Sequence, residues 1–223
     1  MRSPELADQD RSRIIRNLLS LMRGRCTRAP GIYRFSARMF PEKIMLMVEP
    51  GFVCRTCGQT HEGVPLSFAA DFPDMYANMS ASDRSRALIS SDQCIVDEAS
   101  FFIRGCLEIP VLDSSEVFIW GLWALVKEEV FNGISESWEE EGRETRRGPF
   151  KARLANSLSV YPETLNLRLR IVIQPLGTRP LFILEEEQHP LATAQQHGIS
   201  RLEALELSAT LLHVQGPWSR SPQ

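Results

Sequence analysis

Residues 93–126 read QCIVDEASFFIRGCLEIPVLDSSEVFIWGLWALV. Runs rich in β-branched and aromatic side chains (Gln93–Asp97, Phe101–Arg104, Cys106–Leu112 and Glu116–Val126) are separated by short polar breaks such as Asp97-Glu98-Ala99-Ser100 and Asp113-Ser114-Ser115. Parallel neighbours need a crossover of a dozen residues or more, and these breaks leave room only for hairpins. The stretch therefore predicts consecutive antiparallel strands. Trp120, Trp123 and Trp138 read as core aromatics, although Trp120 and Trp123 fall on opposite strand faces, which leaves one of those two able to face a partner or ligand.

On the C-terminal side, Lys127–Glu141 predicts a helix with Val130, Phe131, Ile134 and Trp138 on one side and acids on the other. Leu165, Leu167, Leu169, Ile171 and Ile173 then alternate with Asn166, Arg168, Arg170, Val172 and Gln174, a period of two that gives one dry and one wet face. Arg179–Glu186 pairs with that strand across Pro175-Leu176-Gly177-Thr178. His189-Pro190 opens a helix with Pro at its first position. A last helix starts at Ser200, with Glu203 completing a capping box, and carries Leu202, Leu205, Leu207, Leu211 and Leu212. On the N-terminal side, Ser80–Ile89 predicts a further helix. Strands in clusters with helices between them argue for an α+β class: a single domain with a mainly antiparallel sheet flanked by helices, plus an N-terminal Cys-x-x-Cys knuckle.

The net charge of −3 over 223 residues conceals an asymmetry. Residues 1–46 hold ten Lys or Arg against four Asp or Glu, a balance of +6, while the other 177 hold 15 against 24, a balance of −9. The expected plan is a basic, loosely ordered extension over 1–46, an α+β domain over 47–215 and a flexible tail over 216–223. Within the extension, Asp10 or Ser12 caps a short helix with Ile14, Ile15, Leu18, Leu19 and Met22 along one side and Arg11, Arg13 and Arg16 elsewhere. This piece reads as a basic arm for an anionic surface, or else as a loosely packed extension or sequence upstream of a start at Met45 or Met47. The acidic body lacks the clustered cations that phosphate binding needs, so no nucleic acid is expected for 47–223. The longest apolar run, Val117–Val126, is too short to span a bilayer and no signal peptide is visible, so no membrane is expected and the cytoplasm is the expected address.

Cys54-Arg55-Thr56-Cys57-Gly58-Gln59-Thr60-His61 is the sharpest chemical motif. Two thiolates three residues apart can face one ion on a tight turn, Gly58 permits the backbone that turn requires, and His61 falls within reach as a third ligand. Two sulfurs and an imidazole suit Zn, with Cys94, Cys106, His189, His197 or His213 as the fourth donor. The competing reading is a turn with two unrelated thiols. Cys94 shares a strand face with Val96, which reads as burial of a small hydrophobe. Asp92, Asp97, Arg104 and Glu108 sit at strand ends or on strand faces, where they either converge on a polar pocket or form solvated faces and local ion pairs.

The Cys54–His61 string followed by Pro65-Leu66-Ser67-Phe68 resembles the opening of the bacterial family known as domain of unknown function 2199. Ser91–Asp97, Phe101–Val111, Trp120-Gly121-Leu122-Trp123, Tyr161-Pro162-Glu163-Thr164-Leu165 and His189-Pro190-Leu191-Ala192 continue the likeness in order. It spans roughly residues 52 to 213 and leaves 1–46 outside, in agreement with the charge break. The family brings no assigned activity, so no residue inherits a catalytic role.

Two functions are consistent with these residues. One is a non-enzymatic binding or regulatory module with a structural Zn knuckle, whose acidic body suits a basic protein partner. The other is a metal-assisted hydrolase, with Cys54, Cys57 and His61 holding Zn, water in the fourth position and Glu62 nearby as a base.

Overall fold

The computed structural model describes residues 52–53, 57–61, 65–146, 148–213 and 218–220. The strands are β1 (Phe52–Val53), β2 (Thr60–His61), β3 (Ser67–Ala70), β4 (Leu88–Ile89), β5 (Gln93–Val96), β6 (Ser100–Pro110), β7 (Val117–Val126), β8 (Phe150–Leu154), β9 (Arg168–Val172), β10 (Leu181–Leu184) and β11 (Trp218–Arg220). The helices are α1 (Asp74–Ala77), α2 (Ala81–Arg84), α3 (Glu128–Glu136), α4 (Arg143–Arg146), α5 (Pro190–His197) and α6 (Arg201–His213).

The long hairpin of β6 and β7 is the spine, in antiparallel register from Phe101 opposite Val126 to Pro110 opposite Val117. β8 joins β7, β9 joins β8 and β10 joins β9, all antiparallel. β10 then returns to β6 in parallel, with Leu181 opposite Cys106. The sheet thus closes into a five-stranded barrel, β6–β7–β8–β9–β10. Antiparallel pairing reverses direction at every step, so a ring with an odd number of strands must contain a parallel pair, and β10–β6 is that pair.

The expected sheet flanked by helices is corrected by this closure. Period-two alternation specifies one dry face per strand, and that face serves equally well beneath helices or inside a barrel. The deciding contact, β10 on β6, joins residues far apart in sequence. Gly105 permits it: a Cβ there would lie 2.3 Å from the Phe182 ring and 2.7 Å from the Pro180 carbonyl. The strands expected at Phe101–Arg104 and Cys106–Leu112 are accordingly one continuous β6 running through that glycine.

Local expectations fared unevenly. The hairpin turn at Asp97-Glu98 is present, with φ of 48° and 53°. The helix expected over Ser80–Ile89 shrinks to α2 followed by β4. The strand expected from Leu165 begins only at Arg168, after Asn166 turns the chain at φ 67°. The capping box is formed: Glu203 N–H donates to Ser200 Oγ at 3.2 Å and Ser200 N–H to Glu203 Oε2 at 2.7 Å. Of the α6 residues expected on its apolar side, Leu202 is exposed, and Ala204, Ser208, Ala209 and Leu211 are the buried ones. Trp218–Arg220, inside the tail expected over 216–223, pair with β3. Residues 1–46 lie outside the described residues.

Two apolar cores follow from the barrel. Ile103, Leu107, Ile109, Trp120, Leu122, Leu154, Leu169, Ile171 and Phe182 belong to the inner one, which α3 joins through Phe131 and α5 through Leu191. Outside the β5–β6–β7 face, Ala70, Cys94, Val96, Phe102, Trp123 and Ala155 form a second, covered by Tyr76, Met79, Ala87 and Ile89. Both tryptophans are therefore fully buried, as their reading as core aromatics implied, and neither faces a partner or ligand. Cys94 behaves as the small hydrophobe its position beside Val96 implied.

Candidate functional site

The junction between α5 and α6 is stitched to the end of β6. Ile199 N–H donates to Pro110 O and Leu112 N–H to Ile199 O, at 2.9 and 2.8 Å. Gly198 turns the chain there at φ 80°, where a Cβ would meet Leu112 and the Pro110 carbonyl under 3 Å away. Across from it runs the segment 155–167, fixed by buried polar groups. Thr164 Oγ1 accepts from Leu158 N–H and donates to Asn156 O. His189 Nδ1 caps α5 by accepting from Leu191 N–H at 3.1 Å, which leaves its Nε2 to donate to Pro162 O at 2.9 Å.

These supports enclose an open groove of about 750 Å³. Ser159, Val160 and Tyr161 make one wall, Pro190, Thr193 and Ala194 of α5 another, and Ile199 part of the floor. Glu203, Glu206, Leu207 and Thr210 of α6 also line it; their spacing of three and four residues puts them on one helix face. Hydrogen bonds from Ser200 hold the Glu203 carboxyl below its usual range. Burial, with Glu203 adding to it, pushes the Tyr161 phenol up to about 12. At neutral pH the groove thus offers a carboxylate, a neutral phenol and an apolar strip of Val160, Ala194, Ile199 and Leu207. The volume is within the range of ligand pockets, on the order of 300–1,000 Å³. Its sequence signal was Glu203, Glu206 and Thr210 recurring along a helix otherwise read for its leucines.

The acids and arginines of β6 converge only in part. Arg104 Nη2 donates to Ala70 O at 2.9 Å and its guanidinium lies 5.6 Å from the Trp123 ring centre. Arg179 pairs with Asp92 at 2.6 Å beside it. Burial, then the neighbouring Arg179 charge, hold Arg104 below its ordinary value. Glu108 lies farther along β6 near Cys106, whose thiol burial raises. Asp97 is elsewhere, paired with Arg86 at 3.2 Å.

Of the proposed metal ligands, Cys54 lies outside the described residues, Cys57 is exposed and His61 ends β2. β1 and β2 form a hairpin, Phe52 opposite His61 and Val53 opposite Thr60, and the described residues 57–59 belong to its connection. Gly58 has φ 70° within it, the left-handed conformation such a turn requires. Two residues considered as a fourth donor are engaged elsewhere: Cys94 in the second core and His189 at its cap. Among the described residues no group of three or more His, Cys, Asp or Glu is arranged to hold a metal, and no helix is long and apolar enough to cross a membrane.

Residues 53–199 match the family described as an uncharacterised protein conserved in bacteria, DUF2199. No curated protein and no solved structure matches the chain.

Proposed function

The chain belongs to this bacterial family, and from that premise we propose that it works as a non-enzymatic binding module whose recognition surface is the groove between α5, α6 and Ser159–Tyr161. The preformed groove is the observation that carries this reading. Three of its polar groups are committed to the fold: Thr193 Oγ1 donates to His189 O, Thr210 Oγ1 to Glu206 O, and Glu203 accepts from Ser200. Hydroxyls tied to their own helix are held for shape, whereas a nucleophile would be paired with a base. An acidic rim over an apolar strip suits a polypeptide segment with both cationic and aliphatic side chains.

A helical peptide of Leu and Lys is a suitable probe. We expect it to bind the full-length protein and to shift the amide resonances of Tyr161, Thr193 and Leu207. Thr193→Trp, which fills the groove from an exposed position, is expected to weaken binding at least about tenfold, roughly 1.4 kcal/mol. Binding that ignores Thr193→Trp, or shifts confined to another face, would overturn the assignment.

The reading includes a structural Zn clip made by Cys54, Cys57 and His61. The β1–β2 hairpin and the left-handed Gly58 support it, because two ligands three residues apart need a tight turn and a hairpin with such a glycine is compatible with one. Such a clip would staple a short loop beside a core that the barrel already supplies.

A further inference from the structure

The groove has a complementary occupant in the same chain: we infer that the basic segment around residues 11–25 seats on it and competes with any external partner. The inference rests on reading the groove as a recognition surface. Between residues 11 and 25 the chain has five arginines and no acid, with Ile14, Ile15, Leu18, Leu19 and Met22 recurring at helical spacing. That combination answers the groove feature for feature, cations for Glu203 and Glu206, and aliphatic side chains for Val160, Ile199 and Leu207. The larger charges agree, +6 on residues 1–46 against −9 on the rest.

Connectivity favours the same occupant. Ser208 Oγ donates to Pro65 O at 2.7 Å, so the chain leads into β3 against α6, the helix that lines the groove. From Met22 to Phe52, where the β1–β2 hairpin begins, there are 30 residues (52 − 22). That length of chain exceeds by far what is needed to travel along the thirteen residues of α6, a distance of about 20 Å. A segment tethered in this way competes at an effective concentration on the order of millimolar. If its intrinsic dissociation constant is about a tenth of that concentration, a partner is weakened about tenfold. The basic segment then acts as a tethered competitor, and only a partner that binds more tightly gains the groove.

The test titrates the Leu-Lys helical peptide into the full-length protein and into a Leu18→Asp, Leu19→Asp variant with the same melting temperature. The variant, its own segment released, is expected to bind the peptide about tenfold more tightly. Equal affinity would overturn self-occupancy and leave the groove reading intact, whereas no peptide binding by either protein would overturn both. Hydrogen exchange supplies an independent readout without added peptide. Amides of residues 11–25 should lose protection at least tenfold in Thr193→Trp. Protection that persists in that variant would assign the segment to another surface and defeat the inference.

Discussion

Arg179 Nε lies 2.6 Å from Asp92 Oδ1, a bond between residues 87 apart in sequence that clasps the barrel at its point of closure. Along the edge of β6, Arg104 N–H donates to Asp92 O and Cys106 N–H to Pro180 O, both at 2.8 Å. Within two residues β6 thus changes partner from the β5 side to the β10 side. The side chains of Asp92 and Arg179 bridge that change, beside the glycine whose missing Cβ admits Phe182.

Breaking the clasp is expected to be asymmetric. Arg179→Ala removes a partly exposed pair and should cost about 1 kcal/mol. Asp92→Ala should cost more, roughly 2 kcal/mol, because it leaves Arg104 and Arg179 facing each other without the carboxylate that offsets their repulsion. Denaturant melts of both single variants and the double variant give the coupling. Equal single costs with no coupling would show that the clasp is incidental to closure.

Asn156 carries a second long-range connection. It is buried; its Oδ1 accepts from Trp123 N–H at 2.8 Å while Nδ2 donates to Phe72 O and Asp74 Oδ1 at 2.9 and 3.0 Å. Asn156→Ala should destabilise by about 2–3 kcal/mol, since the Trp123 amide loses its partner in a buried site. Asn156→Asp should be worse near neutral pH, because an acceptor then faces the Phe72 carbonyl and the Asp74 carboxylate. Its deficit should shrink as pH falls and carboxyl protons become available to share. An Asp variant as stable as wild type at neutral pH would contradict the assigned amide orientation.

Much of the chain was legible where the signal was local. The alternation in residues 93–126, the polar break at Asp97-Glu98 and the Ser200–Glu203 box each involve neighbours, and each appears in the structure. Closure was not legible, because the pairing of Leu181 with Cys106 leaves no mark on either strand's own pattern. The cover over Trp123 was hidden for a similar reason. Trp123 reads as a core aromatic, but what covers it comes from residues 71–90, short helices and an edge strand where one helix was expected. The groove combines Tyr161, Pro190 and Glu206 from three segments, and nothing in the sequence joins them.

Alkaline pH should expose the cost of two buried groups. Burial pushes the Cys94 thiol from 9.0 up to about 12 and the Tyr161 phenol from 10.0 up to about 12. Both bind their protons more tightly folded than unfolded, so the unfolded chain is the first to ionise. Their contribution to stability is complete below the unfolded values and is lost as pH rises through about 9 to 12. Wild-type stability should therefore fall over that window, and Cys94→Ala should fall less steeply from a lower starting point. Parallel pH profiles for the two proteins would show that the thiol ionises as freely folded as unfolded.

Metal content decides the role of the N-terminal loop. If Cys54, Cys57 and His61 hold Zn, full-length protein prepared without chelator should carry close to one equivalent, and Cys57→Ser should lose it. A neutral hydroxyl replaces neither the charge nor the softness of a thiolate. The barrel and its two cores are built from residues 65–213, so the variant should stay folded and lose at most a few kcal/mol, about 2–3, unlike a small finger with little core besides its metal. The change should be local, a new protease-sensitive segment within residues 52–65, with peptide binding at the groove unaltered. Metal-free protein from a zinc-replete culture, with both thiols freely titratable in the native state, would reduce the hairpin to a plain turn and leave the groove as the site that defines this protein.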